Sequence, residues 1–294
     1  LEQLLQERPE VYLDLGEDDA ARIAALQSGQ VDNIFNPSAE IWQAVKDLPG
    51  IKVYSAPTAQ TFVIRMRADK EPWSDNRVRQ ALKKCLDRQK MLDLAWFGNG
   101  VLGHDAHVAP VHPEYCEKEI PAYDLEGAKA LLQEAGLTLP VAVELATQEA
   151  RAEPAMAQAL KESAAGAFDI TLNIMPSANY WEVWTEVPLG ITGWGHRPYP
   201  QFYLDVMLTC DAVWNETRFC DPEFDRLAAL AGSSLDEGER VAAYHEIQRI
   251  LVETGPIIVP YFFAEFAVIR EGFDGFEQHP FSGRTDLRAV RVAP

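Results

Sequence analysis

The sequence predicts an α/β fold, a mixed and mainly parallel sheet with helices on both faces. Three observations point there. Helix-like and strand-like runs alternate through most of the chain. The helix-like runs are amphipathic, and several open on a capping residue. The strand-like runs are short and apolar, and the chain shows no internal repeat.

The elements can be justified in order. "EDDAARIAALQS" reads as a short helix ended by Gly29, with "VDNIF" as the strand after it. "PGIKVYSAP" and "QTFVIRMR" read as two more strands. One long helix is expected next, with Asp75 as its cap and Gly98 as its end. Val78, Ala81, Leu82, Cys85, Leu86, Leu92, Ala95 and Trp96 recur on it at the three-and-four spacing of a single face. Arg77, Arg79, Lys83 and Lys84 surround that stripe and read as a solvated face. From Gly98 to Ala122 the chain is loop-like, and its "GNGVLG" follows a helix and reads as a turn.

"DLEGAKALLQEAG" is a capped helix between Asp124 and Gly136, followed by the strand "LPVAVELA". A helix over Glu153–Ala165 leads to the strand "FDITLNIM". A short aromatic helix, "ANYWEVW", precedes the strand "LGITGW" and the loop "GHRPYPQFYL". "DPEFDRLAALAG" opens with Asp221 as cap and Pro222 at the first helical position. "DEGERVAAYHEIQRILVETG" is a second long amphipathic helix, and "PIIVPYFFAEFAVIR" a very apolar strand run. The tail from Glu271 is irregular.

Composition narrows the function. Hydrophobic residues make up 47% of the 294 and charged residues 24%, which is globular usage. A net charge of −19 argues against a nucleic-acid partner, which needs a basic face. No apolar run reaches the roughly 20 residues of a membrane span. The abrupt opening "LEQLLQERPEVYLDLG" is compatible with a removed leader or a longer missing segment. The four cysteines form no C-x-x-C, so a zinc or thioredoxin-type site is not expected. Cys85 falls on a buried stripe and reads as a small core residue. Cys210 and Cys220 bracket the polar run "DAVWNETRF" and could close a short disulfide, which suits an oxidising compartment.

Two constellations could carry chemistry. "GHDAH" offers His104, Asp105 and His107, with His112 nearby, as a metal set. Metallohydrolase spacings such as H-E-x-x-H are missing, so structural histidines are the better reading. There is also no nucleophile elbow, phosphate loop or dinucleotide fingerprint. Trp181, Trp184, Trp194 and Trp214 are the second constellation. They fall at element ends and loops, where α/β folds place ligands.

Six runs, "ARIAALQSGQVDNIF", "PWSDNRVRQALKKCLDRQKML", "YDLEGAKALLQEAG", "CDPEFDRLAALA", "RVAAYHEIQRIL" and "PIIVPYF", follow one another along nearly the whole chain. Together they resemble the bacterial extracellular solute-binding proteins of the peptide/nickel class, family 5, which deliver ligands to ABC importers. The resemblance implies a periplasmic-binding-protein-like (type II) fold. Residues 1–65 would be part of lobe I ending in a crossing strand, 66–266 lobe II, and 267–294 the return to lobe I. The N-terminal part of lobe I would be absent. Crossings are expected near Ile64–Arg67 and Phe266–Ile269.

The resemblance also implies a ligand site. The loop after "ITGW" would lie in the cleft between lobes, with Trp194 lining the pocket. His196 and Arg197 would recognise charge, and Arg197 stands where dipeptide binders carry an acid. Tyr199, Tyr180, Trp184, Trp214, Asn215, His104 and Asp105 complete the expected ligand-binding set. The implied activity is binding of a peptide-like solute without catalysis, metal or cofactor, and delivery to a membrane permease. The implied location is the periplasm or the extracellular face of the membrane, as a secreted protein or lipoprotein. The alternatives are a metal-dependent hydrolase using the GHDAH loop and a nickel or metal-chelate binder on the same scaffold.

Overall fold

The computed structural model describes residues 13–14, 18–281 and 283–293, so most of the opening stretch lies outside the described residues. The chain divides into two compact units. One is drawn from Leu1–Thr58 and Ala264–Pro294, the other from Ala59–Phe263.

The first unit begins with β1 (Leu13–Asp14), α1 (Asp19–Ser28) and β2 (Asn33–Phe35). Asp18 caps α1 by accepting the Ala21 N–H, and Gly29 ends it at φ 74°, a left-handed conformation that glycine adopts without strain. A short helix, α2 (Ala39–Val45), then precedes β3 (Ile51–Ala56). Its signal is local: Ser38 accepts the Ile41 N–H, and Ile41 and Val45 are buried four residues apart.

The second unit opens with β4 (Thr61–Met66), whose side chains alternate between two cores. Phe62, Ile64 and Met66 enter one core, and Val63 enters the other. The helices α3 (Asn76–Lys84) and α4 (Arg88–Trp96) replace the single long helix expected there. Asp87 breaks it by capping the second segment through the Lys90 N–H, and Phe97 closes that segment in the left-handed region. Arg79 and Lys83 are buried, so only part of the expected basic face meets solvent.

The loop-like stretch that follows contains β5 (Gly100–Leu102). Next come α5 (Leu125–Glu134), β6 (Val141–Gln148), α6 (Glu153–Ser163), β7 (Phe168–Met175), α7 (Ser177–Val183) and β8 (Leu189–Trp194). After β8 the chain forms α8 (Gln201–Tyr203), which runs into a π turn at Leu204–Leu208. The unit closes with α9 (Pro222–Ser233), α10 (Glu237–Glu253), β9 (Ile257–Ile258) and β10 (Tyr261–Phe263).

The principal sheet has the order β7-β6-β8-β4-β9. It is mixed: β6 pairs in parallel with β7 and β8, while β4 runs antiparallel to β8 and β9. One face packs on α3 to α6 through residues such as Leu82, Met91, Leu132 and Leu160. The other packs on α9 and α10 through Phe224, Ile247 and Leu251. Helices therefore cover both faces, as an α/β layer arrangement requires.

The apolar run after α10 is three strands rather than one. Pro260 offers no N–H, and β10 leaves the principal sheet to pair with β5. The chain then returns to the first unit as β11 (Glu265–Arg270). That strand lies between β2 and β3 and runs antiparallel to both. The tail is not wholly irregular, because β12 (Phe273–Asp274) pairs with β13 (Arg291–Val292). Along the chain, Ile64–Arg67 falls in and just after β4, and Phe266–Ile269 falls in β11.

Candidate ligand pocket

The C-terminal end of β8 opens into a cavity of about 330 Å³ within the second unit. Thr192, Gly193, Trp194 and Gly195 line it from the strand. Trp181 and Trp184 approach from α7 and the residue after it, and Trp214 from the loop between Cys210 and Cys220. Phe202 and Arg197 complete the wall. The rings meet edge to face or tilted: Trp181 and Trp184 have centroids 5.3 Å apart, Trp184 and Trp214 6.4 Å, and Trp194 and Trp214 6.1 Å. This is the geometry that aromatic quadrupoles favour. Trp194 is buried, whereas Trp181 and Trp214 are each 44% exposed.

A buried ion pair supports this wall from behind. Arg65 Nε donates to Glu216 Oε2 at 2.8 Å, and neither side chain is exposed. Glu216 also accepts from Thr192 Oγ1 at 2.6 Å and from the Trp194 indole N–H at 3.2 Å. Arg65 donates as well to the carbonyls of Val187 and Trp184 and to the Tyr180 hydroxyl. One charge pair thus fixes two pocket residues on β8 and the turn that carries Trp184. Burial raises the Glu216 carboxyl above its ordinary value, against the pull of Arg65 and the two donors. Sequence reading missed both residues. The available signal was an arginine inside the apolar strand "TFVIRM".

The loop that carries Trp214 and Glu216 is tied at its base. Cys210 and Cys220 are bonded, with Cα atoms 4.4 Å apart. Inside the ring, Asn215 Nδ2 donates to the carbonyls of Thr209 and Phe219, and its Oδ1 accepts the Thr217 hydroxyl and N–H. The Trp214 N–H reaches the Val206 carbonyl at 2.8 Å. Asn215 therefore shapes the loop, with its side chain buried, and does not line the cavity.

The structure brings together Trp184, Trp194, Arg197 and Trp214 from the expected set. The Arg197 guanidinium lies 4.3 Å from the Phe202 ring centroid and donates to the His196 carbonyl. His196 is buried, and its Nδ1 accepts the Ala59 N–H. Tyr199 is 64% exposed and does not line the cavity. Tyr180 is buried behind the wall, where its hydroxyl donates to the Ile191 carbonyl. Trp181, part of the tryptophan constellation though not of the set implied by the resemblance, also lines the cavity, and Phe202 lines it without having been expected there.

His104, Asp105 and His107 lie apart from this cavity and are fully buried. Asp105 Oδ1 accepts from Arg88 at 2.5 Å and from the Val259 N–H at 3.2 Å. His107 stacks on Tyr203, with centroids 3.5 Å apart. The His112 Nε2–H donates to the Arg197 carbonyl, and its Nδ1 accepts the Ala109 N–H. Burial holds His104, His107 and His112 below the ordinary imidazole value. Among the described residues no three metal-ligating side chains converge. The metal-hydrolase alternative loses its site here, because Asp105 is committed to Arg88 and the imidazoles are core residues.

The family model for bacterial extracellular solute-binding proteins, family 5 (middle), matches residues 10–215. The chain belongs to this family. Among curated members, it is 23% identical over 270 residues to the peptide transport periplasmic protein SapA of Salmonella typhimurium, covering 85% of this chain and 48% of that protein. It is 28% identical over 289 residues to di/tripeptide-binding protein 2 of Pseudomonas aeruginosa, covering 94% of this chain and 54% of that protein. The chain spans about half the length of the curated relatives it matches. The solved periplasmic binding protein DppA of Helicobacter pylori, in complex with the peptide STSA, superposes with a TM-score of 0.80 at 19% identity. That match covers 97% of this chain and 58% of DppA. It shows the periplasmic-binding-protein fold, and the family's matched region takes in every tryptophan of the pocket.

Proposed function

We propose that this chain is part of the solute-binding component of an ABC importer, one that binds a peptide-like solute and delivers it to a membrane permease outside the cytoplasm. The observation that carries the reading is the family match over residues 10–215, which includes the strands and loops that build the aromatic pocket. The pocket is suited to binding rather than catalysis. Its walls are rings, the strand end Thr192–Gly195 and one arginine, and the Thr192 hydroxyl is tied to the buried Glu216–Arg65 pair behind the wall. The solute gains burial and ring contacts, and the importer takes it up from the binding protein.

Two measurements on the full-length natural protein test this. Mass spectrometry of the purified protein should find a bound peptide-like solute. That solute should raise the melting temperature by a concentration-dependent amount while remaining chemically intact. Conversion of the solute into product, or the lack of any stabilising solute in a peptide panel, would overturn the reading.

A further inference from the structure

We infer that His112, which stands outside the cavity, is a positioning residue for it and holds the loop Gly195–Arg197 in place through the Arg197 carbonyl; the inference rests on the solute-binding function proposed above. The first support is the loop's shortage of donors. Gly195 and Arg197 line the cavity directly after β8. Pro198 and Pro200 offer no N–H with which the loop could close on itself. Its carbonyls are met by side chains from outside it. The Tyr203 hydroxyl donates to the Gly195 carbonyl at 2.7 Å, and the His112 Nε2–H donates to the Arg197 carbonyl at 2.8 Å. Losing such a donor leaves the carbonyl to find water or to move.

The second support is that the donor is set before it meets the loop. The His112 N–H donates to the Ala109 carbonyl at 2.9 Å, and the Ala109 N–H donates back to His112 Nδ1 at 3.0 Å. With Nδ1 an acceptor, the proton of the neutral ring is on Nε2, the atom that faces Arg197. Burial holds the ring below the ordinary imidazole value, so this neutral form is the one present at neutral pH.

The same upstream segment braces the loop a second time. The His107 ring stacks on Tyr203 with the planes 12° apart, and Tyr203 is the donor to Gly195. Two imidazoles of "GHDAHVAPVH" thus act on two carbonyls of one pocket loop, His112 directly and His107 through Tyr203. The histidine-rich motif thereby has a use in the site without touching the solute.

The test uses the full-length natural protein and two variants that divide the bonds of the ring. His112→Gln reaches the Nε2 position and keeps a donor for Arg197. His112→Asn reaches only the Nδ1 position, where its carbonyl keeps the bond from Ala109. The probes are tripeptides of the form Ala-X-Ala, titrated singly. His112→Gln should bind them within about twofold of the natural protein, whereas His112→Asn should lose about fivefold or more. Amide hydrogen exchange at Gly195–Arg197 should quicken in His112→Asn and not in His112→Gln. A ring that merely keeps its own turn predicts the reverse ranking, and either that ranking or equal behaviour of the two variants overturns the inference. In the natural protein, nitrogen NMR of labelled histidine should show His112 protonated at Nε2 and bare at Nδ1. The opposite tautomer also overturns the inference, and this spectrum decides the matter if the variants do not fold. If the tripeptides bind the natural protein and both variants alike, the inference fails and the solute-binding reading stands. If none binds the natural protein, both fail.

Discussion

Glu216 is a carboxylate that water does not reach, and its position is set by the guanidinium facing it. Such a pair is costly to bury and more costly to break, because removing one partner strands the other charge. Glu216→Ala should lower unfolding stability by about 3–5 kcal/mol, read from urea denaturation. A loss below about 1 kcal/mol would mean that solvent or another acid compensates Arg65. Little of this was legible in the sequence. Trp194 stands out because a ring flanked by glycines at a strand end is a local pattern. Arg65 is marked by its place in an apolar strand, but its partner Glu216 is 151 positions away and looks ordinary alone. Tyr199 drew attention for its composition, but side-chain direction, which sequence spacing does not report, sends it to solvent.

At the level of elements, α3 shows how a polar helix face can be structural. Asn76, Arg79, Gln80 and Lys83 share one side of it, spaced by three and four residues. All four donate to carbonyls at the C-terminal end of α10: Asn76 to Glu253, Arg79 to Thr254, Gln80 to Val252 and Glu253, and Lys83 to Leu251 and Val252. They are the last-turn carbonyls of the helix, where intrahelical donors run out, although the Leu251 carbonyl also accepts the Gly255 N–H, and cations are favoured near them. Burial lowers the Lys83 ammonium to about 8, yet it remains mostly charged at neutral pH. Lys83→Met should cost about 1–3 kcal/mol because it removes two charge-assisted hydrogen bonds, to the carbonyls of Leu251 and Val252. Lys84→Met, nearer solvent, should stay within about 0.5 kcal/mol. Equal denaturation midpoints for the two variants would dismiss the capping role. The apolar stripe of α3 was legible from its period. The use of its polar face was not, since the accepting helix end lies about 170 positions downstream.

Stability against pH sums groups from across the molecule. His104, His107 and His112 are held below their ordinary value by burial, so they stay neutral in the folded chain when the unfolded chain begins to protonate. Their contribution is complete above about 6.5 and is lost as pH falls below it, at up to about 1.4 kcal/mol per pH unit for each histidine. Glu216 and Glu153 are raised by burial and act in the opposite sense, from the ordinary carboxyl value upward. Urea midpoints should therefore fall between pH 7.5 and 5.5. A flat profile would mean that these imidazoles take up protons in the folded state.

The α/β class, most element positions and the family were legible, because periodicity, caps and short motifs are local. The separate strands after α10 were not, because partner choice divides one apolar run among two units and three sheets. The position of β11 also sets an order of assembly. In the first unit, β2 and β3 do not pair with each other; each pairs with β11, which arrives more than 200 positions later. That sheet cannot close until the chain has been made through Arg270, whereas the second unit is one unbroken stretch that ends at Phe263. The pocket-bearing unit can therefore be complete while β2 and β3 still wait for their common partner, and its folding draws the two chain ends together, since the Phe263 N–H reaches the Gln60 carbonyl at 3.0 Å.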